Sequence, residues 1–169
     1  MKKPLKVAIL SAFLLLLGVQ GAIGGGSPAS ILIQFPNETV NQGDKVIMMI
    51  TVSNVSTRPL VLEDYGLVFH GEQLFKVGMV GPDDRPVPLT KWGLFVYSPG
   101  YHGQAGTNST PYRYILEPQD EMRYTADLTE IYDMNKIGRY VVVASRNIIL
   151  DGSQPIRITS NSATITVIQ

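Results

Sequence analysis

The sequence contains no cysteine, only two histidines and a single tryptophan. The lack of cysteine excludes disulfides, thiolate metal sites and cysteine nucleophiles. It also excludes lipid attachment through a cysteine behind an export signal. A domain of this composition outside the cytoplasm has to be stabilised by its apolar core alone.

Residues 1–21 have the pattern of a cleavable export signal. Three lysines in the first six residues precede a 13-residue apolar run at 7–19, and small residues follow it. We predict cleavage after Gly21, with cleavage within 22–27 or an uncleaved anchor as alternatives. A membrane span needs about 20 apolar residues, which favours the cleaved signal. We expect a secreted or periplasmic protein.

The charge balance gives no indication of a nucleic-acid partner. The chain has 14 basic and 14 acidic residues, and residues 1–21 contain three of the basic ones and none of the acidic ones. The remaining 148 of the 169 residues therefore carry 11 basic and 14 acidic groups, a formal net charge of −3. Such a protein has no electrostatic reason to bind nucleic acid or an anionic membrane. We expect neither partner after signal cleavage.

The mature chain is long enough for one domain with a substantial core. Residues 22–30 are rich in glycine and are predicted to be a flexible lead-in. Residues 31–169 contain about seven to nine short alternating apolar segments, turn signals between them, and no long amphipathic helix. This spacing predicts an all-β sandwich over 31–169.

Several segments have a predicted strand, pairing or turn of their own. Residues 45–53 and 121–128 alternate most clearly, with even-numbered residues inward. Residues 112–116 and 121–128 are predicted to form a hairpin-like pair, and 87–89 an edge strand. Residues 93–111 are the least regular stretch, and Asp151-Gly152 is a two-residue hairpin signal.

Tyr140 indicates which kind of sandwich this is. An immunoglobulin-type sandwich carries a tyrosine near the start of its sixth strand, and the hydroxyl bonds to upstream backbone in a tyrosine corner. From Tyr140 onward, Val142 and Ala144 share its face. We therefore predict an immunoglobulin-like β-sandwich of antiparallel strands with Val142 in its core.

Three segments resemble a group of bacterial secreted immunoglobulin-like proteins of unassigned activity: TVSNVSTRPLVL, LEPQDEMRYTADLTEIYDMNKIGRYVVVASR and SNSATITV. The arrangement is also similar to the β-sandwich segment that precedes the catalytic domain of some deuterolysin-like metallopeptidases. The resemblance covers residues 45–167, and the matching positions are Asn54, Ser56, Leu128, Tyr132, Gly138 and Tyr140. The zinc-binding His-Glu-x-x-His is absent, so the resemblance implies a fold and no peptidase activity.

Candidate reactive groups are few. His70 and His102 could bind a metal with Met79 or Met122, but their spacing does not bring them together, and solvated loop histidines are the simpler interpretation. Ser98, His102 and Asp120 could form a hydrolase triad, but no nucleophile-elbow motif supports it. Asp83 and Asp84 with Asp64 or Glu63 could bind a hard cation, but no EF-hand-like spacing appears and a polar turn is the simpler interpretation.

Three Asn-x-Ser/Thr sequons, at Asn37, Asn54 and Asn108, lie in predicted turns or loops and are expected to be exposed. The most suggestive stretch for binding runs from Trp92 to Tyr114, where aromatic residues alternate with glycine and hydroxyl residues. Loops of this composition are typical of binding surfaces. The candidate partner-binding residues are Phe95, Tyr97, Tyr101 and His102. The alternative is a variable loop, with Trp92, Tyr112 and Tyr114 in the core.

We therefore expect a non-catalytic module without cofactor or metal that binds an unknown protein or cell-surface partner. A protease inhibitor that presents loops from one end of the sandwich is the first alternative. A periplasmic protein that binds metal through histidine and methionine is the second.

Overall fold

The computed structural model describes residues 27–64, 75–97, 112–150 and 154–169. Ten strands and two short helices lie in these ranges. The strands are β1 (Ala29–Gln34), β2 (Thr39–Asn41), β3 (Ile47–Asn54), β4 (Leu60–Asp64), β5 (Lys76–Val80), β6 (Tyr112–Leu116), β7 (Glu121–Asp127), β8 (Gly138–Leu150), β9 (Ile156–Thr159) and β10 (Ala163–Ile168). The helices are α1 (Lys91–Val96) and α2 (Leu128–Ile131).

The strands form the two layers of an immunoglobulin-like sandwich. The smaller sheet has the order β1-β3-β7, and the larger has the order β2-β10-β8-β4-β6 with β5 and β9 also paired to β8. The predicted all-β sandwich is confirmed. Ten strands exceed the expected seven to nine, and β2 pairs with β10 in parallel rather than antiparallel. Both extra strands, β2 and β9, are only three and four residues long, too short to show a periodic pattern.

The period-two patterns identified the core correctly. Even-numbered residues of β3 are buried, and so are Tyr140, Val142 and Ala144 of β8. On β7 the same alternation is weaker, because Met122 and Tyr124 are only half-buried. On the opposite face of β3, Ile47 and Met49 are exposed.

The predicted tyrosine corner is present. The Tyr140 hydroxyl donates to the Lys136 carbonyl at 2.6 Å and accepts from the Lys136 N–H at 3.1 Å. Gly138, between them, has φ +131°, and a Cβ there would lie 2.7 Å from Pro82. The corner therefore needs both the tyrosine hydroxyl and the glycine.

The predicted hairpin of 112–116 with 121–128 is wrong. β6 pairs with β4 in the larger sheet, whereas β7 pairs with β3 in the smaller one. The connection crosses between the sheets, and its backbone bonds to Asn54: Gln119 N–H donates to the Asn54 carbonyl, and Asn54 N–H donates to the Asp120 carbonyl. Long-range bonding to β3 overrides the local hairpin signal.

Two further segments differ from expectation. Residues 87–89 form isolated bridges, Val80 with Pro86 and Leu89 with Tyr132, rather than an edge strand. The stretch from Gly93 begins inside α1 and is not irregular at its start. The prolines at 86 and 88 leave too few backbone donors for a continuous ladder.

Some predictions fall outside the described residues. These are the export signal (1–21), most of the lead-in and the turn at Asp151-Gly152. β8 and β9 pair antiparallel with Ile148 opposite Ile156, and the two-residue turn itself stays a prediction. None of the helices in the described ranges has the length and hydropathy that crossing a membrane requires.

Candidate partner-binding site

Helix α1 is held in place by its first turn. The Thr90 side chain caps the helix by accepting from Gly93 N–H at 3.0 Å, and its hydroxyl donates to the Glu130 carbonyl of α2. The Thr90 N–H donates to the Ile131 carbonyl at 2.8 Å. One threonine thus satisfies an orphan helix donor and ties α1 to α2.

Gly93 sets the distance between the two helices. A Cβ at this position would lie 3.0 Å from the Ile131 carbonyl carbon, 3.1 Å from Ile131 Cγ2, and closer still to the carbonyl oxygen. Only glycine allows this approach, because the contact is with backbone that cannot rotate away. Gly93 and Val96 form the buried face of α1.

Apart from Gly93 and Val96, the apolar side chains of α1 are exposed. Trp92, Leu94 and Phe95 are 39%, 60% and 47% exposed. The rings of Trp92 and Phe95 lie 5.4 Å apart and tilted by 35°. Scattered apolar side chains on a surface are ordinary, but a contiguous group marks an interaction site. We call these three residues the α1 patch.

Tyr97 has a structural position at the end of α1. It is half-buried, and its hydroxyl accepts from Val77 N–H at 3.3 Å and lies 3.5 Å from the Phe75 carbonyl. The neighbouring Tyr132 is buried and donates to the Val77 carbonyl at 2.5 Å. Burial, followed by the nearby Tyr97, raises the pKa of Tyr132 well above its ordinary value. Both tyrosines anchor α1 and α2 to β5.

The four candidate binding residues therefore differ in position and role. Phe95 is exposed on α1, Tyr97 is an anchor, and Tyr101 and His102 lie outside the described residues. Trp92, placed in the core by the alternative interpretation, is exposed; Tyr114 is also exposed, and the side chain of Tyr112 is not described. Sequence reasoning missed Trp92 and Leu94 as site residues. The i, i+3 spacing of Trp92 and Phe95 behind a capping threonine was the available signal.

The other candidate sites do not assemble from the described residues. His70, Ser98 and His102 lie outside them, and Asp120 is exposed in the connection between β6 and β7. Met79 is buried, and Met122 Sδ accepts from the Tyr124 hydroxyl. Within the described ranges no three histidine, aspartate or glutamate side chains come together as metal ligands.

Asp83 has a partner of its own. Its carboxylate lies 2.9 Å from Lys136 Nζ, and the hydrogen bond from this ammonium holds the pKa of Asp83 below its usual value. Asp83 lines a cleft of about 330 Å³ beside Tyr140, and an adjacent cleft of about 260 Å³ shares Asp133 and Asn135 with it. The larger cleft is lined by Lys136 and Tyr140 of the corner, whereas the smaller one is lined by neither.

The expectation for the sequons holds at Asn37, which is exposed, and fails at Asn54; Asn108 lies outside the described residues. Asn54 is 1% exposed. Its Nδ2 donates to the Arg58 and Leu116 carbonyls, both at 2.8 Å, and its Oδ1 accepts from the Ser56 N–H and hydroxyl. Asn54 and Ser56 together build the loop after β3, so the motif is structural.

Comparisons with known proteins give only distant structural likenesses. No family model and no curated protein matches the chain. Solved structures with similarity include the CARDB domain of a Pyrococcus furiosus protein (11% identity, 83% of this chain and 87% of that chain, TM-score 0.41) and the C-terminal domain of Wzt (8%, 86% and 76%, 0.46). A putative ApaA protein from Bordetella pertussis is also similar (9%, 82% and 91%, 0.42). The sandwich assignment follows from the chain's own sheets, and the resemblance to secreted bacterial proteins and peptidase-associated segments stays a prediction.

Proposed function

We propose that this chain is an exported, non-catalytic immunoglobulin-like module that binds a protein or cell-surface partner through the α1 patch. The supporting observation is that Trp92, Leu94 and Phe95 are exposed on a helix fixed to the sandwich by Thr90 and Gly93. A rigid support lowers the entropic cost of presenting large side chains to a partner.

The size of the α1 patch fits the centre of an interface. The three exposed fractions correspond to roughly 300 Å², if a whole aromatic side chain presents about 150–250 Å². A stable protein interface buries about 800 Å² on each side, with an apolar centre and a polar rim. The exposed Lys91 and Glu130 provide polar groups close to α1.

Site-specific cross-linking tests this proposal. Because the chain has no cysteine, Leu94→Cys creates a unique thiol for a photo-cross-linker, and Ile137→Cys places a matched probe on another exposed isoleucine. We expect an adduct with a discrete partner from position 94, and its loss when Trp92 and Phe95 are both changed to Ala. Adducts that form equally from both positions, or that survive the double change, contradict the proposal.

The protease-inhibitor alternative depends on residues 100–107, outside the described part of the chain. Wild-type protein and a variant lacking 100–107 are compared against a protease panel. Inhibition that disappears with the deletion supports the inhibitor. Its absence at micromolar protein leaves the α1 patch as the stronger candidate.

A further inference from the structure

Strand β6 is an unusual sheet edge. It ends the larger sheet, and among the described strands none pairs with its outer side. Proteins normally protect such edges from pairing with other chains. Here the β1 edge is covered by Asn161, whose side chain bonds to the Ile33 N–H and carbonyl. The β2 edge is three residues long, and β7 carries exposed charges at Glu121 and Arg123.

The outward residues of β6 and its exit form a charged–apolar–charged pattern. Leu116 is buried, so Arg113, Ile115 and Glu117 face outward. Ile115 is 65% exposed, more than any other large apolar side chain in the described ranges. An exposed isoleucine on an unprotected edge invites strand pairing.

This pattern is complementary to itself. When two β6 strands pair antiparallel about a two-fold axis at Ile115, Ile115 faces Ile115. Arg113 of each copy then lies opposite Glu117 of the other. Opposite charges on directly paired positions stabilise a sheet, and an isologous contact uses each of them twice. We propose that β6 is a self-association edge through which two copies of this chain join their larger sheets.

The proposed register makes one demand on the backbone of β6. Neighbouring residues of a strand direct their backbone groups to opposite edges. In this register the N–H and carbonyl of Ile115 point toward the outer edge of β6 and exchange hydrogen bonds with a second Ile115.

Pairing of two β6 strands would also extend a row of apolar side chains that already crosses the larger sheet. Val61 lies opposite both Ile115 and Ile149 in the register, so an apolar row crosses β8, β4 and β6 on the outer face. Pairing at Ile115 continues this row into the second copy. The guanidinium of Arg113 has five N–H donors, so it can bond to Glu117 of the second copy in a bidentate manner.

Charge exchange tests the register. Sedimentation of the exported chain over a series from micromolar to millimolar should show a monomer–dimer equilibrium. Arg113→Glu and Glu117→Arg should each weaken the dimer about ten-fold, because like charges then face each other twice. The double variant should return to within about three-fold of wild type. Arg123→Glu, an edge charge on the other sheet, is the matched control and should leave the dimer unchanged.

A disulfide test is independent of the charges. Residues directly opposite in an antiparallel pair have Cα atoms about 4.5–5.5 Å apart, within the range that a disulfide spans. Ile115→Cys should therefore form a covalent dimer under mild oxidation much faster than Leu94→Cys, a comparably exposed control. A chain that stays monomeric throughout the series overturns the proposal. So does a dimer that both charge reversals leave intact, or equal rates of cross-linking at the two cysteines.

Discussion

Replacing Gly93 with alanine tests whether α1 is fixed to α2 by the contact described above. In a helix without tertiary contacts this change is stabilising by about 1 kcal/mol, because alanine is the better helix former. Here the new methyl group would enter the space of the Ile131 carbonyl. The two effects have opposite signs, so the sign of the result identifies the stronger one.

We expect the clash with the Ile131 carbonyl to outweigh the gain in helix propensity. Overpacking costs about 1–3 kcal/mol, and the upper end applies because a backbone carbonyl cannot rotate away as a side chain can. Subtracting the helix gain leaves a net destabilisation of about 2 kcal/mol. For a domain of this length about 1 kcal/mol corresponds to 2–4 °C, so the melting temperature should fall by about 4–8 °C.

Thermal and urea unfolding of Gly93→Ala against wild type measure this directly. Leu94→Ala is the matched control, since it changes the next residue of the same helix at an exposed position. The control should stay within about 0.5 kcal/mol of wild type. A Gly93→Ala protein as stable as wild type, or more stable, would refute the close packing of α1 on α2 and with it the rigid support of the α1 patch.

Four further predictions concern the sandwich. Tyr140→Phe removes only the corner hydroxyl, and urea unfolding should show a loss on the order of 1 kcal/mol; an unchanged midpoint would contradict the corner. Val142→Asp places a charge in the core and should abolish cooperative melting; wild-type melting would disprove its inward position. Asn54→Ala removes the side-chain donor to the Leu116 carbonyl, while the Arg58 carbonyl keeps the Ser56 hydroxyl; urea unfolding should show a loss of about 1–3 kcal/mol, whereas Asn37→Ala should be neutral. Burial raises the pKa of Tyr132 in the folded protein. The contribution of its neutral hydroxyl to the free energy of unfolding is therefore fully present below pH 10, the ordinary tyrosine pKa, and is lost as pH rises further. Above pH 10, the melting temperature of Tyr132→Phe should fall less steeply with pH than that of wild type, and equal slopes would exclude this effect.

The core could be predicted from the sequence because it depends on a local property. Alternation in 45–53 and 140–144 indicates which side chains are buried, whatever the strands pair with. It weakens on β7 and ends at Ser145 and Arg146, which are both buried. The same patterns do not say which sheet a strand joins. A hairpin is therefore predicted where the chain passes from β6 in the larger sheet to β7 in the smaller one. The cause of this crossing, bonding to Asn54, comes from more than 60 residues away.

The candidate site was harder to predict for the same reason. Six residues with a glycine among them are too few to form a helix by local propensity, so 93–111 read as irregular. Helix α1 exists because Thr90 and Gly93 bond and pack against α2, which is almost 40 residues further along the chain. Only then are Trp92, Leu94 and Phe95 exposed together on one short helix.

The expectation that a cysteine-free chain depends on its apolar core alone also needs revision. Three polar side chains bond to buried backbone far away in sequence: the exposed Asn161 to Ile33 across 128 residues, Asn54 to Leu116 across 62, and Tyr132 to Val77 across 55. Each such bond contributes about 1 kcal/mol net, so together they approach the 2–4 kcal/mol typical of one disulfide. The comparison understates their importance for substitution, because removing one partner leaves a buried polar group unsatisfied. These three residues should therefore tolerate exchange as poorly as the apolar core does.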